Sequence, residues 1–326
     1  MTAPVQRKRI APGPWRRGWR VLRARRSARW ALAAVVGYSL VACWGEAVYL
    51  VHRRADRTPA YRQARLEDAH WPPVGLRGQG RDGGGHSVHR PWWYRPLGCD
   101  ALGRDVLARL VQGTRIAYRV GLMTSLIAIP IGLVLGAMAG FFGGRVDDVV
   151  VWLYSTFASV PGLLFVLAVA LLVGRGLVGV YLGIGLSTWV GLCRLIRAEV
   201  MKQRELDYVT AARVLGVRPF RILAGHIGPN ILHLVVVTFS LRFPAAVGME
   251  VFLSFIGVGA QGEPSWGGMI AAGRMALWEG VWWEIVFATL ALFGLVLSFN
   301  VLGDALRDAL DPRVSGRLAL EAEVRR

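Results

Sequence analysis

Six long apolar blocks, at 30–51, 117–142, 149–173, 177–196, 231–256 and 284–303, constrain this chain more than any other feature. A helix needs about 20 apolar residues to cross a hydrocarbon layer about 30 Å thick. Within lipid every backbone N–H and C=O must be satisfied internally, which leaves helices or closed barrels. The alternating segments of about ten residues that mark a barrel are absent from the sequence. The blocks therefore predict an all-α polytopic membrane protein with six transmembrane helices. Glycines recur at four-residue spacing inside them, as at Gly132, Gly136 and Gly140, and small residues on one face let neighbouring helices approach closely.

Charge sets the expected topology. The chain carries 39 Lys and Arg against 21 Asp and Glu, a net charge of +18, but the arginines fall mostly outside the apolar blocks. That distribution argues for membrane-surface positions and contact with anionic lipid rather than for nucleic acid. Residues 1–29 are rich in Arg and contain no acid, which predicts a cytoplasmic N-terminus. Six crossings then place 143–148, 197–230 and the tail after 303 in the cytoplasm as well, with both termini inside. Segment 52–116 is expected outside despite its arginines, because long loops translocate largely regardless of charge.

This topology divides the chain into a basic cytoplasmic tail at 1–29, a first transmembrane helix at 30–51, an external loop at 52–116, a five-helix core at 117–311 and a cytoplasmic tail at 312–326. The external loop contains a Gly- and Arg-rich stretch at 75–85 that reads as flexible. It also contains an amphipathic helix at 100–113, capped by Asp100 and lying on the outer interface. His86 and His89 read as solvated side chains, since two histidines without further ligands do not make a metal site. Leu40-Val41-Ala42-Cys43 matches a lipoprotein cleavage motif, but the apolar run continues past the cysteine, so it reads as membrane helix. Three cysteines give no disulfide framework. The stretch 257–283 reads as an external re-entrant or interfacial helix begun by Pro264-Ser265-Trp266 and flanked by Trp266, Trp278, Trp282 and Trp283.

The polar segment 204–230, between the fourth and fifth blocks, is the candidate functional loop. It reads as two short helices. Ala211 and Ala212 are small enough for a partner surface to approach. Gly216 supplies the left-handed turn that ends the first helix, Pro219 suits the first turn of the second, and Pro229 is expected to stop it before the fifth crossing. Taken alone, these residues describe an ordinary amphipathic linker equally well.

Two charges fall inside the fifth block, and intramembrane charges are functional candidates by default. Glu250 lies eight residues beyond Arg242, about 80° round a helix, so the two are expected to face one cavity along a translocation pathway. A structural, hydrogen-bonded role for Glu250 is the equal alternative. Arg194 and Arg197 read as snorkelling to headgroups.

Motifs extend along much of the chain: PLGCDALGRDVLARLVQGTR at 96–115, GLVLGAMAGFFGGRVD at 132–147, RLIRAEV at 194–200, DYVTAARVLG at 207–216, HIGPN at 226–230, SFIGVG at 254–259, PSWGGM at 264–269 and NVLGDALRDALDPR at 300–313. Residues 95–313 thereby resemble, in order, the permease family of dipeptide, oligopeptide and nickel importers driven by ATP-binding cassettes, in particular its second-permease type. The resemblance implies the type I importer permease fold and a heterodimer with another permease, two cytoplasmic ATPases and an external solute-binding protein. It also implies that 204–230 is the ATPase-coupling loop, with Tyr208, Thr210, Ala211, Ala212, Leu215, Gly216, Pro219 and Pro229 as contact or shaping residues. Thr210 stands where the family usually has Glu, Gly228 where it has Leu, and Arg242 where it has a small apolar residue that would leave the pathway less selective for anions.

The sequence contains no phosphate-cradling GxxxxGK[ST] loop, no paired carboxylates in a pocket and no histidine–carboxylate cluster. It is therefore expected to be a non-catalytic subunit that binds no cofactor or metal, with ATP and Mg held by its partners. Nickel or another small solute is the alternative cargo. An ATP-independent secondary transporter is the alternative mechanism, though no repeated halves are visible.

Overall fold

The computed structural model describes residues 23, 25–55, 58–59, 61–74, 76 and 94–310. The tails beyond them, the 75–85 stretch apart from Leu76, His86, His89, Trp92 and Trp93 lie outside the described residues. Among those described, the chain is almost wholly helical, and its only β feature is an isolated bridge between Cys99 and Asp105.

The main helices are α1 (Arg26–Arg54), α2 (Val106–Phe142), α3 (Gly144–Ser159), α4 (Gly162–Val173), α5 (Leu177–Arg204), α6 (Asp207–Val214), α7 (Pro219–Ile222), α8 (Gly228–Phe255), α9 (Trp266–Ala276) and α10 (Trp283–Leu310). Five helices are long and apolar enough to cross a membrane, and α3 with α4 makes a sixth candidate. Many large apolar side chains on them face outward, including Trp44, Leu126, Trp152, Leu172, Leu290 and Phe293. In water such a surface would be unstable; against lipid tails it is the ordinary solution.

The α2–α5 contact organises the bundle. A β-carbon at Gly132 would lie 2.8 Å from the Trp189 carbonyl oxygen, one at Gly136 2.5 Å from that of Cys193, and one at Gly140 2.6 Å from that of Arg197. Each step of four residues on α2 thus matches a step of four on α5, so the two helices run parallel with their backbones nearly touching. A second core joins α2, α8, α9 and α10, where the Phe243 and Phe299 rings stack at 4.2 Å and Tyr118 meets Phe243 edge-on at 5.2 Å.

Three expectations are corrected here. The third crossing is not one rod: α3 and α4 meet at 87° across Val160 and Pro161, because a proline cannot continue the helix behind it and biases the preceding residue to extended backbone; Val160 is extended, with ψ 130°. The helix at 100–113 is not a separate interfacial element. The helix begins at Val106, capped by Asp105, which accepts from the Leu107 and Ala108 amides at 2.8 and 3.3 Å, and continues straight into the second crossing. Asp100 instead closes a turn before it, accepting from the Leu102 and Arg104 amides at 2.9 and 2.8 Å. Of the polar residues that suggested an interface, Arg109 is buried, while Arg104 and Asp105 remain partly exposed. Arg109 pairs with Asp100 and with Glu284 of α10, the latter at 2.9 Å, and Arg115 pairs with Glu263 beneath the Tyr49 ring.

The described part of the loop after α1 is folded onto this end of the bundle. His70 N–H donates to the Asp100 carbonyl at 3.1 Å, Cys99 N–H to the Trp71 carbonyl at 2.9 Å and Arg65 N–H to the Leu102 carbonyl at 3.1 Å, while Tyr61 and Trp71 are buried. The α9 helix starts as expected, with the Ser265 hydroxyl accepting from the Gly268 amide at 3.1 Å. Trp266, however, is a core residue whose indole donates to the Leu110 carbonyl at 3.2 Å, and Trp283 donates to the Cys99 carbonyl at 2.8 Å. Trp278 is left fully on the surface.

Candidate functional site

Helix α5 ends in a basic turn at Arg204, and the chain turns at Glu205 and Leu206 into α6. Its end is set by Gly216, whose φ of +75° is cheap only for glycine. Across that turn the Val217 amide donates to the Ala212 carbonyl at 3.1 Å and the Gly216 amide to the Arg213 carbonyl at 2.9 Å. This is the paired closure of a Schellman motif, which satisfies carbonyls that a helix end would otherwise leave bare. Pro219 then takes the first position of α7, where its missing N–H costs nothing.

Pro229 does not stop the second short helix. Helical backbone runs from Pro219 to Phe255, passing through a π-turn at Leu223–Ile227 in which the Gly228 amide reaches the Leu223 carbonyl five residues back. A proline lacks the N–H for the normal bond; placed in the first turn of α8, after the widened turn, it is accommodated rather than disruptive. The elbow is thus continuous with the α8 rod.

The inner side of the elbow is a core. Val209, Ala212, Ile222, Ile227 and Ile231 pack with Phe141 of α2 and with Leu192, Ile196 and Val200 of α5. Ala212 is 5 % exposed, so it faces this core and not a partner, contrary to the sequence expectation: the i+3/i+4 rule places it on the face of Val209. Tyr208 is half outside, its hydroxyl donating to Gln203 at 3.1 Å and accepting from Asn230 at 3.3 Å, which ties α6 to the ends of α5 and α8. Thr210 and Ala211 lie on the exposed face.

The outer side carries an apolar cap. Val214, Leu215 and Phe220 are 82, 81 and 67 % exposed, with the Phe220 ring 5.3 Å from that of Phe142 and with Arg213, Arg218 and Arg221 beside them in sequence. Leu215 belonged to the expected set; Val214 and Phe220 did not, although an apolar residue two places before the glycine and another just after the proline are the signals that could have identified them. Covering three such side chains is worth about 1.5–3 kcal/mol each. An exposed apolar tip with arginines beside it in sequence has the form of a docking knob.

Near this end Arg197 does not snorkel. Its guanidinium holds Asp147 of α3 in a two-pronged pair, with Nη2 at 2.6 Å from Oδ2, so α3 is pinned to α5. Arg194 lies 4.8 Å from the Tyr154 ring centre.

Of the two expected pathway charges, Arg242 lines a cavity that Glu250 does not border. That cavity, of about 130 Å³, lies between α2, α5 and α8 and is bordered by Thr124, Ser125, Ser187 and Thr188. The guanidinium donates to the Thr188 carbonyl, and no ion pair to it forms among the described residues. Leaving a lone cation at a helix centre costs about 2.5–3.5 kcal/mol on insertion scales. Glu250 is elsewhere: it is fully buried between α8 and α9, where Ser254 donates to it at 2.5 Å with Ser265 as its other partner. The two therefore do not share a cavity, and Glu250 serves to join helices. At the opposite end from the elbow, burial pushes the Cys99 thiol up to about 11, partly offset by the Arg95 guanidinium beside it. No cluster of three or more His, Cys, Asp or Glu suited to a metal exists among the described residues.

Comparison with known proteins gives this geometry a family. Residues 132–316 match the profile of the binding-protein-dependent transport system inner membrane component, a span that includes the α2–α5 glycine contact, the elbow and Arg242 itself. The chain is 38 % identical over 219 residues to the dipeptide transport system permease protein DppC of Bacillus subtilis (strain 168), covering 67 % of this chain and 68 % of the relative. It is 38 % identical over 222 residues to the oligopeptide transport system permease protein OppC of Haemophilus influenzae, covering 68 % and 71 %. Against the glutathione transport system permease protein GsiD of Pectobacterium atrosepticum it is 32 % identical over 318 residues, 96 % of each chain. An all-helical bundle with a buried elbow root and an uncovered elbow tip, matched over more than half its length, belongs to the inner-membrane components of binding-protein-dependent transport systems.

Proposed function

We propose that this chain is one of two permease subunits of an ATP-binding cassette importer and that it carries small peptides, delivered by an external binding protein, through the membrane by alternating access. The carrying observation is the elbow: Val214, Leu215 and Phe220 stand uncovered while Val209, Ala212, Ile222 and Ile227 fasten the same elbow to α2, α5 and α8. A partner gripping the tip moves three crossings together.

In this reading the partners are a second permease, two cytoplasmic ATPases holding ATP and Mg, the solute-binding protein and lipid. This chain binds no cofactor and hydrolyses nothing. The ATPases cover the apolar tip with Tyr208, Thr210 and Ala211 on its flank, Gly216 and Pro219 fix its shape, and both termini are cytoplasmic. Peptide cargo rests on the relatives, three of which are named for dipeptides, oligopeptides and glutathione.

Purification through a tag on this chain, followed by peptide uptake in vesicles, tests the reading. It expects two ATPases and a second permease in the complex, and uptake that requires both ATP and the binding protein. Uptake by this chain without ATPases would instead support a secondary transporter.

A further inference from the structure

Arg242 occupies the middle of α8, fourteen residues from Gly228 and thirteen from Phe255. Its neighbours are equally central: Gly191 lies fourteen residues from Leu177 and thirteen from Arg204 in α5, and Thr124 is eighteen from either end of α2. The cavity is therefore at the midplane of the bundle, and two of its walls, α5 and α8, are the helices that the elbow joins.

The chemistry of the cavity is one-sided. Thr124 and Ser125 donate their hydroxyl protons to the Val120 and Gly121 carbonyls at 2.7 and 2.6 Å, and Ser187 and Thr188 donate to the Ile184 carbonyl at 3.0 and 2.8 Å. Those four donors are committed to their own helices. Of the five N–H groups of a guanidinium, the structure gives Arg242 a single acceptor, the Thr188 carbonyl. The guanidinium also has a prepared seat: it lies over Gly191, where a β-carbon would come within 2.5 Å of its Nη2. A cavity of about 130 Å³ is roughly four water volumes, enough for a carboxylate and the carbon atoms next to it but not for a whole peptide.

We propose that Arg242, seated on Gly191, is a carboxylate-binding subsite that holds the anionic end of the solute at the midpoint of the pathway. This rests on the importer reading above and adds a specificity residue to it. Planar guanidinium and carboxylate match in a two-pronged bond, and the apolar remainder, including Ala128, Ile184, Ala246 and Met249, accepts the adjoining carbon. Because the elbow joins α5 to α8, movement of that elbow is expected to change the spacing across which the carboxylate is held.

The test uses the complex purified through this chain, with its melting temperature followed in N-acetylglycine and in N-acetylglycinamide, which differ in the carboxylate. Tm is expected to rise with the acid and not with the amide. Arg242→Gln weakens the half-saturating concentration at least about tenfold, the loss of a charge-assisted contact, Arg242→Lys, which keeps the charge but not the two-pronged geometry, retains only part of the response, and Gly191→Leu, which keeps the charge but fills its seat, loses it. No rise in the wild type, or a rise that survives Arg242→Gln, overturns the proposal. So does loss of the second permease in Arg242→Gln with recovery in Arg242→Lys, which would assign the guanidinium to a carboxylate of that neighbour. Absence of ATPases from the complex would sink the importer reading, whereas the response to N-acetylglycine tests Arg242 whatever the cargo.

Discussion

Gly136 of α2 faces the carbonyl oxygen of Cys193 of α5 so closely that a β-carbon at Gly136 would stand 2.5 Å from it. The carbonyl is backbone and cannot swing aside, so even a methyl group must push the two helices apart. With Gly132 and Gly140 in the same relation to α5, this is the seam on which the elbow's root is built, since Phe141, Ile196 and Val200 lie at its end.

Gly136→Val is accordingly expected to cost more than the usual 0.5–3 kcal/mol of a point substitution, because it wedges the seam and loosens the elbow core together. Yield of monodisperse protein and its Tm in detergent are the readouts. Gly144→Ala, at a position with open space around it but positive φ, should be much milder.

Arg109 is the second structural pivot. It is 6 % exposed and joins Asp100 to Glu284, linking the loop before α2 to the start of α10. Arg109→Ala strands the buried Glu284 carboxylate, while Asp100 keeps Arg104 at 2.7 Å, and is expected to destabilise by about 3–5 kcal/mol. A triple change to apolar residues at 100, 109 and 284 should recover part of that loss; Tm of the single and triple variants separates an ion pair required for packing from one required only once its partners are charged.

The two faces of the elbow predict opposite phenotypes. Leu215→Asp or Val214→Asp alters only the uncovered tip, so insertion and Tm should be preserved while ATPase recovery and uptake fall at least about tenfold, the worth of one buried Leu or Val side chain. Ala212→Arg drives a long cation into the core and should lower Tm instead. Equal behaviour of the two kinds of variant in the Tm assay would show that the tip is not a separate surface.

Cys99 gives a chemical check on the folded segment at the end opposite the elbow. Only the thiolate reacts with maleimide, and burial raises this thiol from 9.0 to about 11, so near pH 8 its thiolate is about a hundredfold scarcer than an unshifted one. Labelling should be slow in the folded protein and become rapid on unfolding; fast labelling at pH 8 would mean that the Trp71–Cys99 backbone contact is open.

Much of this was legible in the sequence because membrane helices announce themselves by length and Schellman turns by glycine: the apolar blocks, the all-helical class and the Gly216 turn follow from local physics. Pairing across the fold was not. Nothing in the run around Arg109 distinguishes an interfacial helix from a buried one, since the partner Glu284 is 175 residues away. Ala211 and Ala212 are indistinguishable as residue types, and only the position of Val209 and Ile222 decides which turns inward. The kink at Pro161 was written in the chain, but a hydropathy reading passes over it. Glu250 and Arg242 shared a pathway only while α9 was absent from the picture, because it is Ser265, at the start of α9, that helps bury Glu250.

The central claim is that the elbow tip meets ATPases on the cytoplasmic side. A single cysteine at Leu215, in a chain whose Cys43, Cys99 and Cys193 are replaced by Ala, can be probed with a membrane-impermeant maleimide in right-side-out and inside-out vesicles, with and without the ATPases. The account predicts labelling only in inside-out vesicles and protection when the ATPases are bound. Labelling in right-side-out vesicles, or equal labelling with and without ATPases, would contradict it.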